Sequence, residues 1–166
     1  MSDQGKTSEA ATPTEKVTVR SSRIVVGVDG SPASRAALAW AGTEAELRGA
    51  ELDVVAVWAF PAYIDPLGGA YLLPGAMGET ESREKAKLEE SVIQVLGPNP
   101  SFPIRQITMC GSTTTELLTA AEGADLLVVG SRGRGGFLSL LLGSTALQCV
   151  QHAPCPAVVI HAPAPL

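Results

Sequence analysis

The chain has 166 residues, 45% of them hydrophobic but only 4% aromatic, so one domain with a core of small aliphatic side chains is expected. Twelve Lys and Arg against 17 Asp and Glu leave a formal charge of −5, which excludes a broadly basic nucleic-acid-binding face. Three cysteines, an odd number, exclude a disulfide-stapled scaffold and suit a reducing, cytoplasmic compartment, and no apolar run approaches the ~18 residues of a membrane span.

Residues 1–20 are polar, with three acids and three bases and no apolar secretory segment. They bury too little to offset their ordering entropy, so they read as a flexible tail ahead of a single domain at 21–166. Ile24-Val25-Val26-Gly27-Val28 is a short apolar run and reads as a buried strand. Ser31-Pro32 is a helix start, with Ser at the N-cap and Pro at the first helical position. Ala33, Ala37, Trp40 and Leu47 then recur at helical spacing up to Gly49. A second strand is expected over Leu52–Trp58 and a long Gly- and Pro-rich loop over Pro61–Gly78. Thr80–Leu96 reads as an amphipathic helix with Leu88, Val92 and Val95 inward and Glu81/Lys85 and Lys85/Glu89 paired outward.

A third strand follows at Ile104–Met109, and Thr113-x-x-Glu116 reads as a capping box opening a third helix. Asp125 turns the chain into a fourth strand, Leu126–Val129. A helix at about Ser144–His152 is stopped by Pro154 and Pro156, and Ala157–Ile160 is the fifth strand. Strands alternating with helices predict an α/β fold, an open doubly wound parallel sheet with helices on both faces.

The segment Gly130-Ser131-Arg132-Gly133-Arg134-Gly135-Gly136-Phe137, closing at Gly143-Ser144-Thr145, leaves one strand and starts a helix. Ligands of open parallel sheets sit beyond the carboxyl ends of the strands. Glycines there admit a phosphate to backbone N–H groups, and a helix start adds donors and a positive dipole end. Arg132 and Arg134 carry charge that would neutralise a phosphate. The loop lacks the Gly-Lys-Ser/Thr of a Walker A motif, and Leu138 breaks a dinucleotide Gly-x-Gly-x-x-Gly pattern. Glycine content alone is equally compatible with a surface turn.

Gly130-x2-Gly133-x9-Gly143-Ser144 resembles the Gly-x2-Gly-x9-Gly-Ser/Thr signature of the ATP-binding branch of the universal stress protein family. The opening Ile24-Val25-Val26-Gly27-Val28-Asp29-Gly30-Ser31, the approach Ala124–Gly130 and the ending His152–Val159 add to the likeness, which runs from Arg23 to about His161. It implies a Rossmann-like five-stranded parallel sheet in the order 3-2-1-4-5. By motif it places Asp29 near a ribose and Val57 against adenine, with Gly130, Gly133, Gly143 and Ser144 around ribose and phosphates. Val28, Val129 and Thr145 lie beside these, and Arg132 on the loop. The implied ligand is ATP, with Mg²⁺ bridging its phosphates, or else AMP or cyclic AMP held by the same loop. The implied role is a nucleotide-dependent stress-response or signalling module acting on a client protein, paired as a homodimer through Ala157–Ile160. Gly111-Ser112-Thr113-Thr114-Thr115 departs from the Gly followed by Pro or Ala that the family often has.

Other features have plainer readings. Asp29 as an isolated residue is also a turn acid that bonds its own backbone. Cys149-x2-His152-x2-Cys155 offers three ligands across a helix end and reads as small thiols beside a helix-terminal His, so no metal site is expected. Trp58 fits either a base contact or a cap on the core. No Gly-x-Ser-x-Gly elbow is present and both histidines lie late in the chain, so no catalytic residue is assigned and at most slow ATP hydrolysis is expected. A slow phosphohydrolase on the same fold is the competing reading.

Overall fold

A computed structural model of the chain describes residues 22–59, 62–64, 70–72, 76–133 and 142–162. The expected tail at 1–20, the loop residues Arg134–Phe137 and the C-terminal residues 163–166 lie outside the described residues. The elements are β1 (Arg23–Val28), α1 (Pro32–Arg48), β2 (Glu51–Trp58), β3 (Ala62–Ile64), β4 (Ala70–Leu72), α2 (Ala76–Leu96), β5 (Ile104–Cys110), α3 (Thr113–Ala120), β6 (Leu126–Gly130), α4 (Ser144–His152) and β7 (Ala157–Ile160).

Five strands form one parallel sheet in the order β5-β2-β1-β6-β7. This is the expected 3-2-1-4-5 order, with β1 central. Val26 of β1 faces Val54 of β2 on one side and Val128 of β6 on the other. The three inner strands, β1, β2 and β6, are buried on both faces, so their side chains alternate between two cores. Ile24, Val26, Leu52, Val54 and Val128 pack with α1 and α2, while Val25, Val55, Leu127 and Val129 pack with Leu117 of α3 and with Ala146 and Cys149 of α4. Continuous apolar runs are what such a doubly covered sheet requires.

The helix starts follow the local chemistry. Ser31 caps α1, its side chain accepting the Ser34 N–H, with Pro32 in the first turn. Gly49 ends α1 in the left-handed conformation, φ 61°, where a side chain would be strained. The inward stripe of α1 differs from the expected one. Ala33, Ala37, Ala41 and Ala45 run inward beside Leu38, whereas Leu47 is 77% exposed. Small side chains let the helix lie close to the sheet, and a stripe of alanines is easily overlooked beside a Leu. On α2, Leu88 and Val92 are buried and Val95 packs against them. Among the described residues the ion pair along it joins Lys87 to Glu84 at 2.6 Å, rather than the expected Glu81/Lys85 or Lys85/Glu89.

Two further boundaries shift. The segment expected as a loop over Pro61–Gly78 contains an antiparallel pair, β3 with β4, in which Tyr63 lies opposite Tyr71. Short Tyr-centred triplets separated by Gly and Pro are a hairpin pattern that the turn residues mask. Helix α2 then starts at Ala76, before Thr80, and carries Gly78 in its first turn. At α3 the N-cap is Ser112 rather than Thr113, and no side chain caps the helix, so the expected capping box does not form.

Candidate functional site

Strand β1 leads into α1 on one face of the sheet, and β6 leads towards α4 on the other. Chains departing in opposite directions from adjacent parallel strands leave a crevice beyond their carboxyl ends. A cavity of about 570 Å³ lies there, within the range of small-ligand sites. All ten residues expected at the site line it: Val28 and Asp29 after β1, Val57 on β2, Val129 and Gly130 on β6, Arg132 and Gly133 on the loop, and Gly143, Ser144 and Thr145 at the start of α4. Its inner wall is apolar, formed by Val55, Val57, Leu117 and Val129, and its rim is polar and glycine-rich.

Asp29 holds two relationships at once. Its Oδ1 accepts the Ser31 N–H at 2.9 Å, the local turn contact expected of an acid before a helix. Its Oδ2 lies 2.7 Å from where a Cβ on Gly133 would stand. The turn bond therefore fixes the carboxylate while the fold presents it to the loop. The Asp29 N–H donates to Ser34 Oγ at 3.3 Å, and Ser34 Oγ donates to the Ser31 carbonyl at 3.0 Å. Ser31 Oγ accepts the Ser34 N–H at 3.2 Å and donates to the Arg132 carbonyl at 3.3 Å.

The site glycines differ in why they are glycines. A Cβ on Gly130 would stand 2.8 Å from backbone atoms of Ala33 and Ser34, so the end of β6 meets the first turn of α1 too closely for any side chain. Gly133 makes room for Asp29. Gly143, the N-cap of α4 at φ −71°, is different: among the described residues the nearest atoms to its Cβ position are at 3.5 Å, an ordinary contact, so their packing does not demand glycine there. The Gly143 N–H donates to the Ser131 carbonyl at 2.7 Å, and the Ser131 N–H donates to the Ile160 carbonyl of β7 at 2.7 Å.

Sequence reading misses several lining residues: Ser34, Val55, Ser131, Ala146, and Thr113 and Leu117 of α3. Only the packing of α3 over the sheet brings Thr113 and Leu117 to this cavity. Trp58 is buried at 9% exposure and does not line the cavity, which favours its core reading. Among the described residues no three His, Cys, Asp or Glu side chains converge as metal ligands. Cys149 is fully buried, and burial raises its thiol pKa.

Asp53 is missed as well. It is 1% exposed near the amino end of β2, remote from the cavity, and is clasped by two guanidinium groups. Arg105 contacts it through Nε and an Nη at 2.7 Å each, and Arg23 reaches it at 2.7 Å. The bond to Asp53 raises the Arg105 pKa. Arg23 also donates to the carbonyls of Ala120 and Glu122, where α3 ends, a favourable place for a cation. Asp125 bonds the Arg23 N–H at 2.8 Å and the Ser22 hydroxyl at 3.2 Å, in keeping with its expected role as a turn residue.

The sheet order and the crevice beyond β1 and β6 define the class of open, doubly wound α/β domains with a ligand cavity at the switch point. Within that class the chain belongs to the universal stress protein family, whose profile matches residues 21–161. It is 34% identical over 138 residues to a universal stress protein of Mycolicibacterium smegmatis, covering 83% of this chain and 45% of that one. The chain spans about half the length of the curated relatives it matches. Among solved structures, universal stress protein UspA from Lactobacillus plantarum superposes with a TM-score of 0.69 at 26% identity, covering 85% of this chain and 98% of that one. A universal stress protein in complex with cAMP superposes with a TM-score of 0.60 at 22% identity, covering 86% and 98%. Among the described residues no helix is long and apolar enough to cross a membrane.

Proposed function

We propose that the cavity binds an adenine nucleotide, ATP in the first instance, and that the protein acts as a nucleotide-dependent stress-response module on a client protein in the cytoplasm. The observation that carries this reading is the meeting of Asp29 with Gly133 across the crevice, beside the start of α4. Asp29 supplies a fixed acceptor suited to ribose hydroxyls. The apolar wall at Val55, Val57 and Val129 suits a base, and Gly143, Ser144 and Thr145 at the helix start suit phosphate. Gly143 supports close approach by a ligand, because the packing of the described residues leaves room for a side chain there. Arg132 adds a cation at the rim. Mg²⁺ would be held largely by phosphate oxygens and water, as it usually is, with no dedicated protein cage.

The reading is of a binding protein, with no efficient turnover, because among the described residues the acid lining the cavity is Asp29, already engaged by the Ser31 N–H and assigned to the ribose. A second reading, a sensor of AMP or cyclic AMP, is favoured by the similar fold solved with cAMP. Mass spectrometry of nucleotide released from the purified protein, followed by calorimetry with ATP, AMP and cyclic AMP, tests both. Absence of heat with all three at millimolar concentration overturns the reading, and steady phosphate release would move it towards a slow phosphohydrolase.

The proposed assembly is a homodimer through β7. This strand pairs with β6 along one edge, and its four residues are each half-buried. An apolar strand with no Lys or Pro within it is an edge that calls for cover, and two-fold pairing covers two copies at once.

A further inference from the structure

We propose that the Ser31 hydroxyl is a positioning group for the nucleotide loop, separate from its service as the helix cap. This rests on the reading of the cavity as a nucleotide site. Ser31 is 7% exposed, and its oxygen works in two directions. As acceptor it takes the Ser34 N–H at 3.2 Å, the ordinary bond of an N-cap. As donor it gives its proton to the Arg132 carbonyl at 3.3 Å, a bond spanning 101 residues. Arg132 precedes Gly133, the residue whose Cα faces the Asp29 carboxylate. The main-chain N–H of Ser31 meanwhile holds Asp29 Oδ1 at 2.9 Å. One residue thus fixes both sides of the crevice, the carboxylate through its backbone and the loop through its side chain. A hydroxyl is needed because an N-cap has only to accept, whereas the bond to Arg132 has to be donated. Asp caps as well as Ser but has no proton to give.

The two roles separate by substitution. Gly is well tolerated at an N-cap, so Ser31→Gly keeps the helix start and removes the donor, without adding charge beside the phosphates. Ser31→Thr keeps both. Two measurements are needed, calorimetry with ATP on the three proteins and hydrogen exchange of the 131–133 amides without nucleotide. The expected result is melting temperatures close together, about five- to tenfold weaker ATP binding in Ser31→Gly, faster exchange at 131–133 in that variant, and recovery of both in Ser31→Thr. Wild-type affinity in Ser31→Gly together with unchanged exchange overturns the inference. So does a loss of affinity that only tracks a loss of melting temperature. If the wild type binds no nucleotide, the functional reading has failed, and exchange at 131–133 alone still decides whether Ser31 holds the loop.

Discussion

The Asp29 carboxylate occupies the space that a side chain on Gly133 would need, with Oδ2 2.7 Å from that Cβ position. The two residues lie beyond different strand ends and meet only because β1 and β6 are neighbours. A methyl at 133 therefore acts through Asp29, and a branched side chain does so more strongly. Gly133→Ala should weaken ATP binding about tenfold, and Gly133→Val further, while the urea midpoint changes little, since the clash falls on a side chain at the rim. Calorimetry beside urea titration checks this. Unaltered affinity in Gly133→Val would mean that the loop does not approach the ligand.

Asp29 is read both as a turn acid and as a ligand contact, and two substitutions divide these roles. Asp29→Asn retains an oxygen for the Ser31 N–H, so stability should stay within about 0.5 kcal/mol while nucleotide affinity drops. Asp29→Ala loses the turn bond as well, at about 1 kcal/mol. Equal affinity for Asp29→Asn and wild type, measured by calorimetry, would leave Asp29 with the turn role alone.

Gly130 behaves differently from its neighbour in the same motif. Its Cβ position lies 2.8 Å from the backbone of α1, which cannot rotate away as a side chain can. Gly130→Ala should cost about 1–3 kcal/mol or more of folding stability, seen as a lower urea midpoint. A variant as stable as wild type would show that the contact between β6 and α1 yields easily.

Asp53 is a stability determinant remote from the cavity. Its removal leaves Arg23 and Arg105 facing each other across a buried space, although both reach partly to water. Asp53→Ala should destabilise by about 2 kcal/mol or more without changing ATP affinity in the remaining folded protein. A binding defect at full stability would mean that the clasp acts on the cavity after all.

A charge within β7 tests the assembly. Val158→Lys places an ammonium in the strand proposed to pair, and light scattering at micromolar concentration should give a dimer for wild type and a monomer for the variant. A monomeric wild type removes the pairing proposal, and two dimers move the interface elsewhere.

The doubly wound, parallel character of the sheet was legible because apolar runs such as Ile24–Val28 and Leu126–Val129 belong to doubly covered strands, whereas the strand order came from the resemblance alone. The cavity lining was legible where it lay in a motif. Thr113 and Leu117 were not, because they join the site through the packing of α3 over β2, which no local spacing encodes. Asp53 is hidden in a strand whose apolar run surrounds it. Its two arginine partners come from β1 and β5, which flank it only once the sheet has formed. The inward alanines of α1 carry little hydropathy, so Leu47 is the more conspicuous residue although it faces water.

Ser131 uses both of its main-chain polar groups for other elements, its N–H for β7 and its carbonyl for the start of α4. In a parallel sheet Arg23 enters at one pole, where Asp53 is clasped, and Ile160 leaves at the other, beside the cavity rim. A spectroscopic label just after Ile160 would therefore test whether occupancy of the cavity is felt at the end of β7 through Ser131. The same label just ahead of Arg23 would sense the opposite pole, giving paired reporters for the two ends of a single domain.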